Sequence, residues 1–344
     1  MILSPSQSQA LDKLNAFLTS PAQRFILTGA AGTGKTTILK EFLSQVTCRV
    51  DLLAPTGKAA LRMTEVTGRP ATTIHYAIYQ IIKDGRNPEF EYNDRTYDGL
   101  AIVDEASMLS PEMVQDLESA YSKILYVGDP YQLPPVNDID WLNSQPADAA
   151  LTEVHRQALE SPILALATNI RNGLPMPPKC EGEELQIQRL MPPPKDWQKF
   201  DQILCHTNVQ RSQVNGAYRK LLKHKQEFER GERLVNLFNR YINKDFYVPN
   251  GQLMTVVDFS TIGTVLEVNG ETFIAPISRS KDTLYNRASL WVDYSYALTV
   301  HKAQGSQWDS VCVLNCTGIR DPKERRRWMY TAVTRAAKHL TLVG

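Results

Sequence analysis

The sequence predicts an α/β protein with two parallel-sheet halves, a small β-barrel insertion and a short hairpin insertion. Three observations carry this. Apolar strand-like runs alternate with helix-spaced runs through residues 1–142, the signature of βαβ units around a buried parallel sheet. The pattern changes to short β runs over 229–287, with Asn269-Gly270 marking a tight hairpin turn. The α/β pattern then resumes to the end of the chain. We therefore expect one α/β domain over 1–142, a second over 143–228 and 288–344, the barrel over 229–287, and a hairpin insertion over 84–99.

The elements follow in order. Residues 24–28 form an apolar strand, a Gly-rich loop occupies 29–36, and residues 36–46 (TTILKEFLSQV) have helical periodicity. Further strands are expected at 50–54, 100–103 and 124–127. In 84–99 (DGRNPEFEYNDRTYDG), turn residues flank Phe90-Glu91-Tyr92, which reads as an exposed hairpin. The proline-bearing stretches 174–178 and 191–194 are connectors. A strand at 203–206 and a helix at 209–222 begin the second α/β unit. The barrel strands are expected at 233–238, 253–257, 263–268 and 272–275. A strand at 311–314, a helix at 325–337 and a strand at 340–343 close the chain.

Composition narrows the function. The 344 residues are 42% apolar, enough for packed cores, and the net charge of +1 gives no global basic field. Any nucleic-acid site must then be a local groove. The five cysteines are scattered; Cys312 and Cys316 lack a second pair at zinc spacing, so reduced thiols are expected. No basic-then-apolar leader and no 18-residue apolar run occur, so a soluble, cytoplasmic protein without membrane contact is expected.

The chemistry begins at G-x-x-x-x-G-K-[ST], residues 29–36, with a strand before and a helix after. In such a loop backbone N–H groups cradle phosphates, Lys35 reaches the β- and γ-phosphates, and the Thr36 hydroxyl ligates Mg²⁺. Gly29, Gly32, Gly34 and Thr37 belong to the same nucleotide-binding set. An apolar strand then ends in Asp104-Glu105. Asp104 suits Mg²⁺, and Glu105 suits activation of the attacking water. The next strand ends in Gly128-Asp129-Pro130-Tyr131-Gln132, where Gln132 can sense the γ-phosphate.

This ordered set resembles superfamily 1 helicases of the RecD/Dda-type branch, over most of the chain. Residues 3–10 (LSPSQSQA) resemble the adenine-reading segment, with Gln7 as base contact. Ala54-Pro55-Thr56-Gly57-Lys58 and Thr72-Thr73-Ile74-His75 resemble DNA-contacting segments. Val154-His155-Arg156-Gln157 is similar to the segment carrying a first arginine finger, and Asn250-Gly251-Gln252 resembles a turn within the barrel insertion. ALTVHKAQG (297–305) and YTAVTR (330–335) match the last two motifs. The resemblance implies two RecA-like P-loop domains, Gly305 at the nucleotide, Thr299 and His301 at DNA, and Arg335 as second arginine finger. It also implies an ATP-dependent, Mg²⁺-requiring DNA helicase moving 5′ to 3′ on single-stranded DNA. Forked duplex and a single-strand binding protein are the implied partners, in a host's cytoplasm if the gene is viral.

Two features depart from the family. Gln307 stands where an acidic residue often contacts the ribose, which leaves an RNA-directed motor as an alternative. The 84–99 insertion is short, which leaves a nucleic-acid-stimulated ATPase without unwinding as another. The chain ends directly after the last motif, so no accessory C-terminal domain is expected. The DNA-contact set is Pro55, Thr56, Lys58, His75, Thr299 and His301, with Phe90 and Tyr92 as a strand-separating wedge. Tyr76, Lys244, Phe246 and Tyr247 are further aromatic and basic candidates for a single-strand channel, where bases stack without sequence preference. Barrel packing accounts equally well for Phe246 and Tyr247. The run Arg325-Arg326-Arg327 reads as a solvated helix face rather than a phosphate contact.

Overall fold

A computed structural model describes residues 3–83, 89–136, 138–153, 160–177, 179–242, 247–280, 289–314 and 318–344. In the first half, the strands in chain order are β1 (Arg24–Gly29), β2 (Val50–Ala54), β3 (Ala71–Thr73), β4 (Tyr79–Lys83), β5 (Glu89–Tyr92), β6 (Tyr97–Val103), β7 (Tyr121–Gly128) and β8 (Ala149–Leu151). Six of them build one sheet in the order β3-β2-β6-β7-β1-β8, with every ladder parallel. Successive strand residues enter opposite faces. Leu27, Leu52, Ile102 and Leu125 pack beneath helices Pro5–Thr19 and Lys35–Gln45, whereas Ile26, Leu53, Val103 and Tyr126 pack against helix Pro111–Ala120 and Trp141. Burial on both faces explains why these strands read as unbroken apolar runs. Phe42, fully buried on the first face, should cost about 3–5 kcal/mol when cut to Ala. A thermal or denaturant midpoint unmoved by Phe42→Ala would contradict this packing.

The second half adds β9 (Cys180–Glu181), β10 (Leu185–Gln188) and β11 (Gln202–Cys205). The chain then enters β12 (Arg233–Asn236), β13 (Arg240–Tyr241), β14 (Tyr247–Val248), β15 (Leu253–Ser260), β16 (Gly263–Val268), β17 (Glu271–Ala275), β18 (Ile277–Ser278) and β19 (Leu290–Tyr294), before β20 (Ala297–Thr299), β21 (Trp308–Leu314) and β22 (Ala336–Val343). The second sheet has the order β20-β11-β21-β22-β10-β9, parallel except at β9. The insertion is a six-stranded sheet, β17-β16-β15-β12-β19-β18. Its two outer strands are separated in the chain by Pro276 alone, so one extended segment starts at one edge and finishes at the other. Asn269 and Gly270 both take positive φ, 53° and 84°, as the turn between β16 and β17 requires. Val214 and Cys205 of the second half share a core with Leu234, Met254, Val256 and Leu290 of the insertion, which fastens the two together.

Three expected boundaries move. The first sheet runs past 142, because β8 pairs with the open edge of β1 and the Asp148 carboxylate accepts the Ile26 N–H at 2.8 Å. The insertion runs past 287, because β19 pairs with β12. The hairpin is also larger than 84–99: β4 pairs with β5 from Tyr79↔Tyr92 to Lys83↔Glu89, and residues 84–88 lie outside the described residues.

Candidate active site

The first lobe supplies a phosphate cradle. After β1 the chain turns through Gly32 and Gly34, both at positive φ (78° and 82°), a conformation that costs glycine least. Gly34 caps helix Lys35–Gln45, so helix N–H groups point into the loop. Gly29 is required for packing: a Cβ there would lie 2.6 Å from Thr33 Oγ1. The Lys35 ammonium donates to the carbonyls of Gly29 (2.6 Å) and Ala30 (3.0 Å), which parks it over the cradle. Gln7 sits behind the loop, 1% exposed. Its amide oxygen accepts the Ser4 N–H and its amide nitrogen donates to Thr33 O at 3.2 Å. Gln7 thus straps the loop to the capping box of helix Pro5–Thr19.

The acids stand at the C-terminal edge of the same sheet. Asp104 follows β6, and burial together with the neighbouring Glu105 carboxylate pushes its carboxyl up to about 6. Glu105 adopts φ 54° and ψ 39°, a left-handed conformation costly for a side-chain-bearing residue. The turn takes the chain straight from β6 into the 3₁₀ helix Ala106–Met108. Gln132 follows β7, is 5% exposed, and its Oε1 has no hydrogen-bond partner among the described residues.

The second lobe closes the site. A cavity of about 380 Å³ is lined by Gly32, Gly34, Lys35, Thr36, Asp104, Glu105, Asp129 and Gln132 on one side, and by Gly305, Gln307 and Arg335 on the other. Arg335 is 3% exposed and held by Thr331 O, Ser306 O and Thr334 Oγ1 at 3.1–3.2 Å. Burial draws its guanidinium below the ordinary arginine value, while the Glu105 carboxylate acts in the opposite sense. Gly29 and Thr37 do not line the cavity. Arg156 lies outside the described residues.

The donor set suits a hard cation. Thr36 and Asp104 offer only oxygens to one cavity, and a group held near pH 6 by burial gains from a nearby positive ion. Mg²⁺ takes one or two protein oxygens and completes its shell with water and phosphate, so these two residues fit it.

The expected DNA contacts lie at C-terminal strand ends on both lobes. Pro55 and Thr56 follow β2, His75 follows β3, and Thr299 ends β20 with His301 just beyond. The lobes and the insertion meet here. A Cβ at Gly57 would lie 2.3 Å from Pro249 Cγ, and one at Gly305 2.8 Å from Thr56 Oγ1. Lys58 Nζ stands 4.5 Å from the Trp308 ring centroid, and burial with nearby Arg233 lowers its amine to about 7. Burial also lowers His75 and, with His206, His301. Tyr76 is half exposed and its ring lies 5.8 Å from that of Tyr247. Lys244 and Phe246 lie outside the described residues. Phe90 and Tyr92 share one face of the hairpin, as strand alternation requires, and that face turns toward the lobe. Phe90 meets the His75 ring edge-on at 5.9 Å, and Tyr92 packs against the first-lobe core.

Sequence reasoning missed the contacts that join the lobes. Tyr330 lies within the YTAVTR motif, yet nothing in its spacing reveals that its hydroxyl accepts the Ala31 N–H and donates to Asp129 Oδ2, both at 2.7 Å. Arg62 lines the cavity from helix Gly57–Thr67 without any sequence signal. The basic run 325–327 divides: Arg325 and Arg326 are exposed as expected, but Arg327 is half-buried against the first lobe. Helix direction explains this, since Arg327 sits three residues before Tyr330 and shares its face.

Comparisons with known proteins agree with this architecture. A family model described as an AAA domain matches residues 2–182, and one described as a UvrD-like helicase C-terminal domain matches 294–343. The ATP-dependent RecD2 DNA helicase of Deinococcus radiodurans is 31% identical over 379 residues, covering 99% of this chain and 49% of that protein. The RecBCD enzyme subunit RecD of Mycolicibacterium smegmatis is 28% identical, covering 93% of this chain and 68% of its own. The chain thus spans about half the length of the Deinococcus relative. Among solved structures, Pif1 helicases described in DNA unwinding at forked duplex align with a TM-score of 0.64 at 17% identity, covering 99% of this chain and 92% of theirs. Pif1 from Bacteroides, in complex with ADP-AlF3 and single-stranded DNA, aligns at 0.61 and 16%, with the same coverage. Those two alignments establish the shared two-lobe fold. With an AAA domain over its first half and a UvrD-like helicase C-terminal domain at its end, the chain belongs to the superfamily 1 helicases of the RecD/Dda-type branch.

Proposed function

We propose that the chain is an ATP-driven motor that moves 5′ to 3′ along single-stranded DNA and separates duplex at a fork. One observation carries the reading: a single cavity takes Lys35, Thr36, Asp104, Glu105 and Gln132 from one lobe and Gly305 and Arg335 from the other. Hydrolysis in such a site requires the lobes to be apposed, which makes each turnover a cycle of closing and opening. Lys35 and the cradle amides hold the β- and γ-phosphates, with Gln7, Gly29 and Thr37 supporting the loop. Glu105 takes a proton from the attacking water, Gln132 orients it, and Arg335 meets the charge that spreads over the γ-phosphoryl oxygens. By resemblance Arg156 is the first arginine finger and Arg335 the second. Mg²⁺ at Thr36 and Asp104 would neutralise part of the phosphate charge.

DNA runs along the rim marked by Pro55, Thr56, Lys58, His75, Thr299 and His301. Because these residues come from both lobes, a closing motion shifts one set of contacts against the other. The domain scheme is two RecA-like lobes, the second interrupted by the six-stranded insertion. The β4–β5 hairpin is the strand-separating element, with Phe90 and Tyr92 bracing its base. A single-strand binding protein is the natural partner of the displaced strand, in the cytoplasm. Strand separation of duplexes carrying a 5′ or a 3′ single-stranded tail tests this. Only the 5′-tailed and forked substrates should be unwound, and unwinding confined to 3′ tails would contradict the proposed direction.

A further inference from the structure

We propose that Arg327 is a positioning residue for ATP hydrolysis: from the second lobe it holds the backbone of the loop carrying Gln132. The inference rests on the motor reading above. Arg327 lies on helix Pro322–Val333. Its Nε donates to Gln132 O at 2.7 Å, Nη2 to Pro130 O at 3.4 Å, and Nη1 to the Asp140 carboxylate at 2.5 Å. One planar fork therefore grips two carbonyls of the sensor loop and is itself anchored by a carboxylate. Lysine, with a single nitrogen, cannot reproduce that geometry.

The same helix face continues the grip. Thr331, four residues on, accepts the Leu133 N–H at 2.9 Å. From outside the helix, Gln304 donates to Leu133 O at 2.7 Å. Within its own lobe the Gln132 backbone has one short-range bond, N–H to Asp129 O at 3.2 Å. The loop is thus held from both lobes. Asp129 accepts the Tyr131 N–H and Asn143 donates to Pro130 O from its own lobe, whereas the Gln132 carbonyl and both backbone groups of Leu133 are fixed from the opposite lobe. The Gln132 Oε1 is buried beside the nucleotide cavity with no hydrogen-bond partner among the described residues. An amide oxygen is an acceptor only, so the group that completes it is an O–H or N–H donor, as the attacking water would be. Arg335 lies four residues past Thr331, in the turn just beyond the helix end. The helix therefore holds the sensor and the turn that leaves it carries the finger, so both arrive together when the lobes close.

Steady-state ATPase with saturating single-stranded DNA tests this on wild type, Arg327→Lys, Gln132→Ala and the double variant. Arg327→Lys should lower kcat about 10- to 100-fold, the scale for a misplaced reacting group, with KM for ATP within about twofold and an unchanged melting temperature. The double variant should turn over no more slowly than Gln132→Ala alone, since both changes disable one unit. Asp140→Asn, which removes the charge facing Arg327 but keeps an oxygen for the Asn143 N–H it caps, should act in the same direction with a smaller effect. Wild-type kcat in Arg327→Lys, multiplicative effects in the double variant, or a fall in kcat that tracks a fall in melting temperature would each overturn the positioning role. Wild-type turnover that ignores single-stranded DNA would instead overturn the motor reading, and this inference with it.

Discussion

Glu105→Gln should bind ATP normally and hydrolyse it about 10²–10⁴-fold more slowly, the contribution expected of a positioned general base. Gln keeps the shape and hydrogen-bonding reach of the side chain but accepts no proton. The αL backbone at 105 is kept, because glutamine needs the same φ of 54° that glutamate adopts. Binding should survive because the cradle at Gly32, Gly34 and Lys35 is untouched. Nucleotide titration against single-turnover hydrolysis separates the two quantities. Lys35→Ala is the complementary case: the cradle loses the ammonium now held by Gly29 O and Ala30 O, so both binding and turnover should fall. Turnover near wild type in Glu105→Gln would remove the base from Glu105.

Arg335→Ala should lower turnover by about 10³–10⁵-fold, the range for arginine fingers in phosphoryl transfer, while weakening ATP binding only modestly. The asymmetry follows from where the charge is. In the ground state Lys35 would already meet the terminal phosphates; the added negative charge on the equatorial oxygens develops in the transition state, where a preorganised cation acts most strongly. Arg335 is preorganised by three hydrogen bonds within its own lobe. Arg335→Lys should not restore activity, since a single ammonium cannot both keep those bonds and face the phosphate. Complete loss of nucleotide binding in Arg335→Ala, or no change in turnover, would contradict the assignment.

The legible part of this site is the part whose chemistry is local. Cradle amides belong to consecutive residues and Asp104 and Glu105 are adjacent, so their spacing points to them, whereas Arg335 closes a six-residue motif that the family resemblance singles out. The Asn269-Gly270 turn is legible for the same reason, because only such residues take positive φ in pairs cheaply. What escapes the sequence is decided by a partner distant in the chain. β8, three residues long, is a strand only because β1 offers it an edge. Arg327 leaves a charged run to face the sensor loop because helix Pro322–Val333 presents that face to the other lobe. Phe90 and Tyr92 alternate as expected, yet which way their shared face turns is set by His75 and the core under it.

Hydrolysis between the lobes should be coupled to nucleic acid lying across both. ATPase rate measured without nucleic acid, with single-stranded DNA, with blunt duplex and with single-stranded RNA tests it most directly. Turnover should be low alone, rise many-fold with single-stranded DNA, respond less to duplex or RNA, and be stimulated less as salt rises, because counterions compete for the phosphate contacts. A rate that is the same with and without DNA and insensitive to salt would contradict it.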